Sequence, residues 1–143
     1  MKRRGSLLRL KRFRVDELKR RLTTLDEMKT DLEKKLTDLE DSVVRERQRA
    51  SDSDIGRLAF PSFLQSIEVR RKNIRTTMAD LDRERTAQQD QLATAFEDLK
   101  SFEIAEEERL RRAGEAESRA QQSRMDEIAM VRHLRKHAAR QAG

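Results

Sequence analysis

Residues 8–25 read LRLKRFRVDELKRRLTTL, and their spacing decides the fold. With position a of a heptad set at Leu8, Val15 and Leu22 take a, and Leu18 and Leu25 take d. The series runs on through Leu32, Leu36, Leu39 and Val43. Over helix one, a holds Leu8, Val15, Leu22, Lys29, Leu36 and Val43, and d holds Lys11, Leu18, Leu25, Leu32, Leu39 and Glu46. Apolar residues at alternating three- and four-residue spacing keep one stripe on one helix face, so the stripe must be covered by another helix.

Outward from that stretch, the pattern stops near Ala50. Ser51-Asp52-Ser53-Asp54 competes for backbone hydrogen bonds, and Gly56 and Pro61 follow. Ser62 and Gln65 have capping-box spacing and are expected to start a second helix. Its heptads place Leu64, Arg71, Met78, Arg85, Leu92, Leu99 and Glu106 at a, and Ile67, Ile74, Leu81, Gln88, Ala95, Phe102 and Arg109 at d. Beyond Phe102 the stripe thins to Ala, Glu and Arg, with a weaker patch at Leu110, Ile128, Met130, Val131 and Leu134.

The expected fold is therefore all-α: an antiparallel two-helix coiled-coil hairpin with a longer second helix, forming one unit over residues 1–143. Helix one is expected over about 6–50 with Ser6 as its cap, a hinge over about 51–62, and helix two over about 63–138, unpaired beyond about 110. Helix one would span roughly 65 Å and helix two roughly 110 Å at about 1.5 Å per residue. Two registers suit the break. In one, facing residue numbers add to 110, which sets Leu39 on Arg71, Leu25 on Arg85, Leu22 on Gln88, Lys11 on Leu99 and Lys29 on Leu81. In the other they add to 117, which matches Val43 with Ile74, Leu39 with Met78, Leu36 with Leu81 and Leu18 with Leu99, and polar Glu46 with Arg71. Counting oil against charge, the second register is expected.

Composition agrees with a long helical protein. The 143 residues are 42% charged and 35% hydrophobic, with no Trp, Tyr or Cys and one Pro, too little apolar volume for a globular core. No apolar run reaches the length of a membrane span, and no unbroken apolar segment follows Met1-Lys2-Arg3-Arg4, so no secretory signal is expected. The net charge of +6 is concentrated in the opening stretch and near the C-terminus, which suggests an acidic partner surface.

Catalysis is not expected. Gly5, Gly56, Gly114 and Gly143 are too scattered to cradle a phosphate, there is no cysteine nucleophile, and a two-helix rod has little concave volume to desolvate a substrate. His133 and His137 stand four apart, but no carboxylate or cysteine completes a metal set, so neither metal nor cofactor is expected. A basic N-terminal helix suits a phosphate backbone or a membrane surface, yet Leu8 is used by the seam and no aromatic residue is interleaved for base stacking. Phe60, Pro61 and Phe63, with Ile55 and Leu58, form an apolar cluster at the hinge that either closes the hairpin or docks a partner.

Leu8-Arg9-Leu10-Lys11-Arg12-Phe13-Arg14-Val15-Asp16-Glu17, Phe60-Pro61-Ser62-Phe63 and Arg70-Arg71-Lys72-Asn73-Ile74-Arg75, together with the longer second helix, resemble the flagellar export protein FliJ family, in particular its alphaproteobacterial members. The resemblance implies a non-catalytic component of the flagellar type III secretion apparatus, needed for motility and chemotaxis. Its partners would be the export ATPase hexamer, the cytoplasmic domain of the export gate membrane protein, and export chaperones. No nucleic acid is implied. The chain would be cytoplasmic, held peripherally at the inner membrane of the flagellar basal body. It would act like the central stalk of a rotary ATPase, with the termini-end in the ring. That assigns the ring contact to Arg9, Lys11, Arg12, Arg14, Lys19 and Arg20, and the gate or hinge surface to Phe60, Phe63, Arg70 and Asn73. The rival classes are a nucleic-acid-binding coiled coil and a passive spacer or chaperone.

Overall fold

The structure is a computed structural model that describes residues 2–142, without the side chain of Lys2. Two helices account for it: α1, Lys2–Asp52, and α2, Asp54–Ala142. No strand occurs among the described residues. The chain separates into two compact units, Met1–Leu99 and Lys100–Gly143, and the boundary falls inside α2.

In the first unit the helices run antiparallel. Ion pairs join Lys11 to Asp98, Arg85 to Asp26, Lys29 to Asp82 and Arg71 to Glu40, so positions rise along α1 as they fall along α2. The core is the predicted seam. Among the described residues Val15, Leu18, Leu25, Val43, Ala50, Ile67, Leu81 and Leu99 are buried, and every one stands at an a or d position or, for Ala50, at its continuation one heptad on. Leu18 is fully covered and Ile67 nearly so.

The register differs from the expected one. Asp26 adjoins Leu25, Glu40 adjoins Leu39, Asp82 adjoins Leu81 and Asp98 adjoins Leu99. Each cation therefore lies across the leucine beside its acid: Arg85 on Leu25, Arg71 on Leu39, Lys29 on Leu81 and Lys11 on Leu99. This is the register in which facing numbers add to 110, not 117. Arg or Lys opposite Leu is no clash in this hairpin. The aliphatic stem lies over the leucine while the charged head leaves the seam for a flanking carboxylate.

The turn is also tighter than expected. Ser53 is the single residue between the helices, and residues 54–62 belong to α2 rather than to a hinge. The cap is Ser53 and not Ser62: its hydroxyl oxygen accepts from the Gly56 amide at 3.0 Å, and its carbonyl accepts from the Arg57 amide at 3.1 Å. Asp54 puts a negative charge in the first turn, where the helix dipole favours it. Gly56 is required here. A Cβ on it would lie 2.7 Å from the Arg49 carbonyl oxygen and 2.9 Å from Ser53 Oγ. Pro61 sits inside α2 and removes one backbone donor without ending the helix. Likewise α1 starts at Lys2, ahead of the expected cap at Ser6, because the intervening Lys and Arg residues are good helix formers.

Among the described residues, ten Ser and Thr hydroxyls that would compete with the helix backbone instead donate inward, as Thr24 does to the Arg20 carbonyl and Thr77 to the Asn73 carbonyl. In the second unit, every described residue from Leu110 to Ala142 is exposed. That stretch carries one-turn ion pairs, Arg111 with Glu108 and Glu115 and Arg112 with Glu108, which support a helix that no core supports.

Candidate partner-binding surfaces

The basic residues of α1 differ in what they reach. Arg9, Arg12, Lys19 and Arg20 are exposed. Lys11, at seam position d, and Arg14, at the flanking position g, reach α2. Lys11 Nζ donates to Asp98 at 2.5 Å and is half-buried, and Arg14 donates to Gln91 and to Glu17, both at 3.5 Å. Five of the six expected ring-contact residues are exposed, while half-buried Lys11 also has a structural duty within the hairpin. Between them, exposed Leu10 and Phe13 add apolar surface. Arg20 borders a groove formed with Arg21, Thr24, Leu25, Met28, Glu84 and Gln88.

Phe60 and Phe63 come together, with ring centroids 6.5 Å apart and 24° between the planes, and Arg47 lies 6.0 Å over the Phe60 ring. Both rings are half-buried at the turn end of the hairpin. Two other residues of that end are fully presented: Ile55 is 81% exposed and Leu58 82%.

Arg70 and Asn73 do not join the phenylalanines. They line a separate groove of about 380 Å³ between α1 and α2, with Lys35, Asp38, Leu39 and Ile74. Its floor is aliphatic and its rim carries two cations, one carboxylate and one amide. The α1 wall was not among the expected site residues. Lys35 and Asp38 carry no signal of their own, and only the register reveals which α1 residues stand beside Arg70.

Electrostatics inside the first unit serve packing. Arg85 is pushed above its ordinary pKa, first by the hydrogen bond from its Nε to Asp26 and then by the charge of Asp26. In the second unit His133 and His137 stack at 6.4 Å with 16° between the rings, and His137 also faces Gln141 at 3.2 Å. Among the described residues no group of three or more His, Cys, Asp or Glu could hold a metal. No helix is long and apolar enough to cross a membrane, again among the described residues.

The first unit is thus an antiparallel helical hairpin with exposed cations on α1 and shallow grooves between its helices. The particular family is settled by sequence: the model of the flagellar FliJ protein matches residues 1–138, and the chain belongs to that family, a component of flagellar protein export. No curated protein and no solved structure matches the chain.

Proposed function

We propose that this chain is a non-catalytic, stalk-like coupling element between the flagellar export ATPase ring and the membrane export gate. Membership of the FliJ family supplies the context. The observation that carries the reading is the antiparallel hairpin of the first unit, whose exposed cations Arg9, Arg12, Lys19 and Arg20 lie near the chain terminus and whose groove at Arg70 and Asn73 lies nearer the turn. Two chemically different surfaces on one two-helix element suit a part that touches two partners at once. The basic face would meet acidic surface inside the ring, and the groove would receive the cytoplasmic domain of the gate. The exposed aliphatic residues Ile128, Val131 and Leu134 of the second unit offer an amphipathic face to export chaperones and their cargo. The chain would work in the cytoplasm, peripheral to the inner membrane.

The test is enzymatic, on the partner. Adding the purified chain should raise ATP turnover by the cognate hexamer. The variant with Arg9, Arg12, Lys19 and Arg20 all changed to Glu should lose that stimulation and keep its helicity by circular dichroism. Stimulation by the reversed variant equal to the parent's would sink the ring contact. Swimming that survives deletion of the gene would sink the export role altogether.

A further inference from the structure

We infer that the hairpin encodes a second register, one heptad away from the observed one, and that four ion pairs hold it in the present state. This stands independently of the coupling role proposed above.

The observed register is compromised along its seam. Lys11, Lys29, Arg71 and Arg85 each lie across a leucine and reach out to Asp98, Asp82, Glu40 and Asp26. Arg71 Nε and Gln88 Oε1 are buried without a hydrogen-bond partner, a state that costs free energy. A shift of seven residues leaves every a and d position on the seam, because the repeat is seven. It sets Gln88 opposite Lys29 and Arg71 opposite Glu46, which offers each of the two unsatisfied atoms a partner of suitable chemistry. It also matches Val43 with Ile74, Leu39 with Met78, Leu36 with Leu81, Leu25 with Leu92 and Leu18 with Leu99. Only Leu32 then meets an arginine, Arg85, within the first unit.

The turn carries the same duplication. The present register is centred on residue 55, beside the break at Ser53. The shifted one is centred between residues 58 and 59, midway between Gly56 and Pro61. Those are the helix-breaking residues that now lie inside α2, and Ser62 with Gln65 stands ready to cap a helix beginning after them. Ile55 and Leu58, the most exposed of the large hydrophobic side chains, are the residues that would be recast in that second turn. Passing between the two states slides one helix along the other by about 10 Å, seven residues at about 1.5 Å each. The four restraining pairs are half-exposed, so salt weakens them. A partner that takes over their carboxylates releases them in the same way.

The natural chain has no cysteine, so engineered pairs report cleanly. Lys35 and Arg70 line one groove in the observed register. In the shifted register Lys35 stands beside Thr77 instead. Lys35→Cys with Arg70→Cys, and Lys35→Cys with Thr77→Cys, are each treated with a short bismaleimide at low and at molar salt. The same pairs are then built with Asp26→Asn, Glu40→Gln, Asp82→Asn and Asp98→Asn, and separately with Gly56→Ala, which crowds the present turn. The 35–70 product should dominate in the parent at low salt. The 35–77 product should rise at least tenfold at high salt, in the neutralised chain and with Gly56→Ala, while helicity is kept. If the 35–77 yield stays at the level measured in urea under all three conditions, there is no second register. Loss of helicity in the neutralised chain overturns the inference equally, since a true second register would keep the helices paired.

Discussion

Leu18 and Leu10 lie eight residues apart on the same helix, yet Leu18 is fully buried and Leu10 is 63% exposed. Leu18→Ala should lower unfolding free energy by roughly 2–5 kcal/mol, the usual cost of an emptied aliphatic site, and Leu10→Ala by about 0.5 kcal/mol or less. Urea titration of the two variants measures the difference, and equal losses would mean that the seam is misplaced. At the turn, Ser53→Ala removes the oxygen that receives the Gly56 amide and should cost about 1 kcal/mol, whereas Ser62→Ala should cost little because Ser62 is exposed inside α2. In the sequence Ser62 has the spacing of a cap and Ser53 is only part of a break. What separates them is the approach of Gly56 to the Arg49 carbonyl, a tertiary contact that no local pattern carries. At the candidate surfaces, Arg9, Arg12, Lys19 and Arg20 were legible as a basic cluster, but the tie from Lys11 to Asp98 was not, because it joins residues 87 apart.

The helices were legible to different depths. Of the eight buried residues among those described, seven fall on predicted a and d positions and Ala50 extends the a series by one heptad, since a repeat of three and four follows from helix geometry alone. The pairing between helices did not follow, because a residue count scores Arg opposite Leu as a loss and does not see the acid one place along. Along α2 the support changes. Leu81 and Leu99 are buried, while every described residue from Leu110 onward is exposed. Lone helices without a packed face are marginal in water. Amides of residues 110–142 should therefore exchange with solvent by fast local opening, and those flanking Leu18 and Leu81 only by slower, larger unfolding. Hydrogen-exchange mass spectrometry resolves the two classes, and uniform protection along α2 would contradict this account.

For the molecule as a whole, the charge excess of +6 governs encounter more than fold. If the basic face of α1 meets an acidic ring, its association rate should fall steeply between about 0.05 and 0.5 M salt, as the screening length shrinks from about 14 Å to about 4 Å. The dissociation rate should change much less. Stopped-flow mixing separates the two, and a salt-independent association rate would argue for an apolar contact instead, with Leu10 and Phe13 the first residues to change.

The one-residue break at Ser53 has a further consequence, for how such a chain can change its length over time. With the turn pinned, α1 and α2 are mirror images in spacing, so a residue lost from one arm throws every later seam position out of phase. It is repaired by losing another at the mirrored place in the other arm. Loss of a whole heptad keeps the phase but still displaces the partners unless its mirror goes too. Insertions and deletions between Lys2 and Leu99 should therefore survive as matched pairs at equal distances from Ser53, whereas residues 110–142, whose described side chains pack against no core, are free to lengthen or shorten singly.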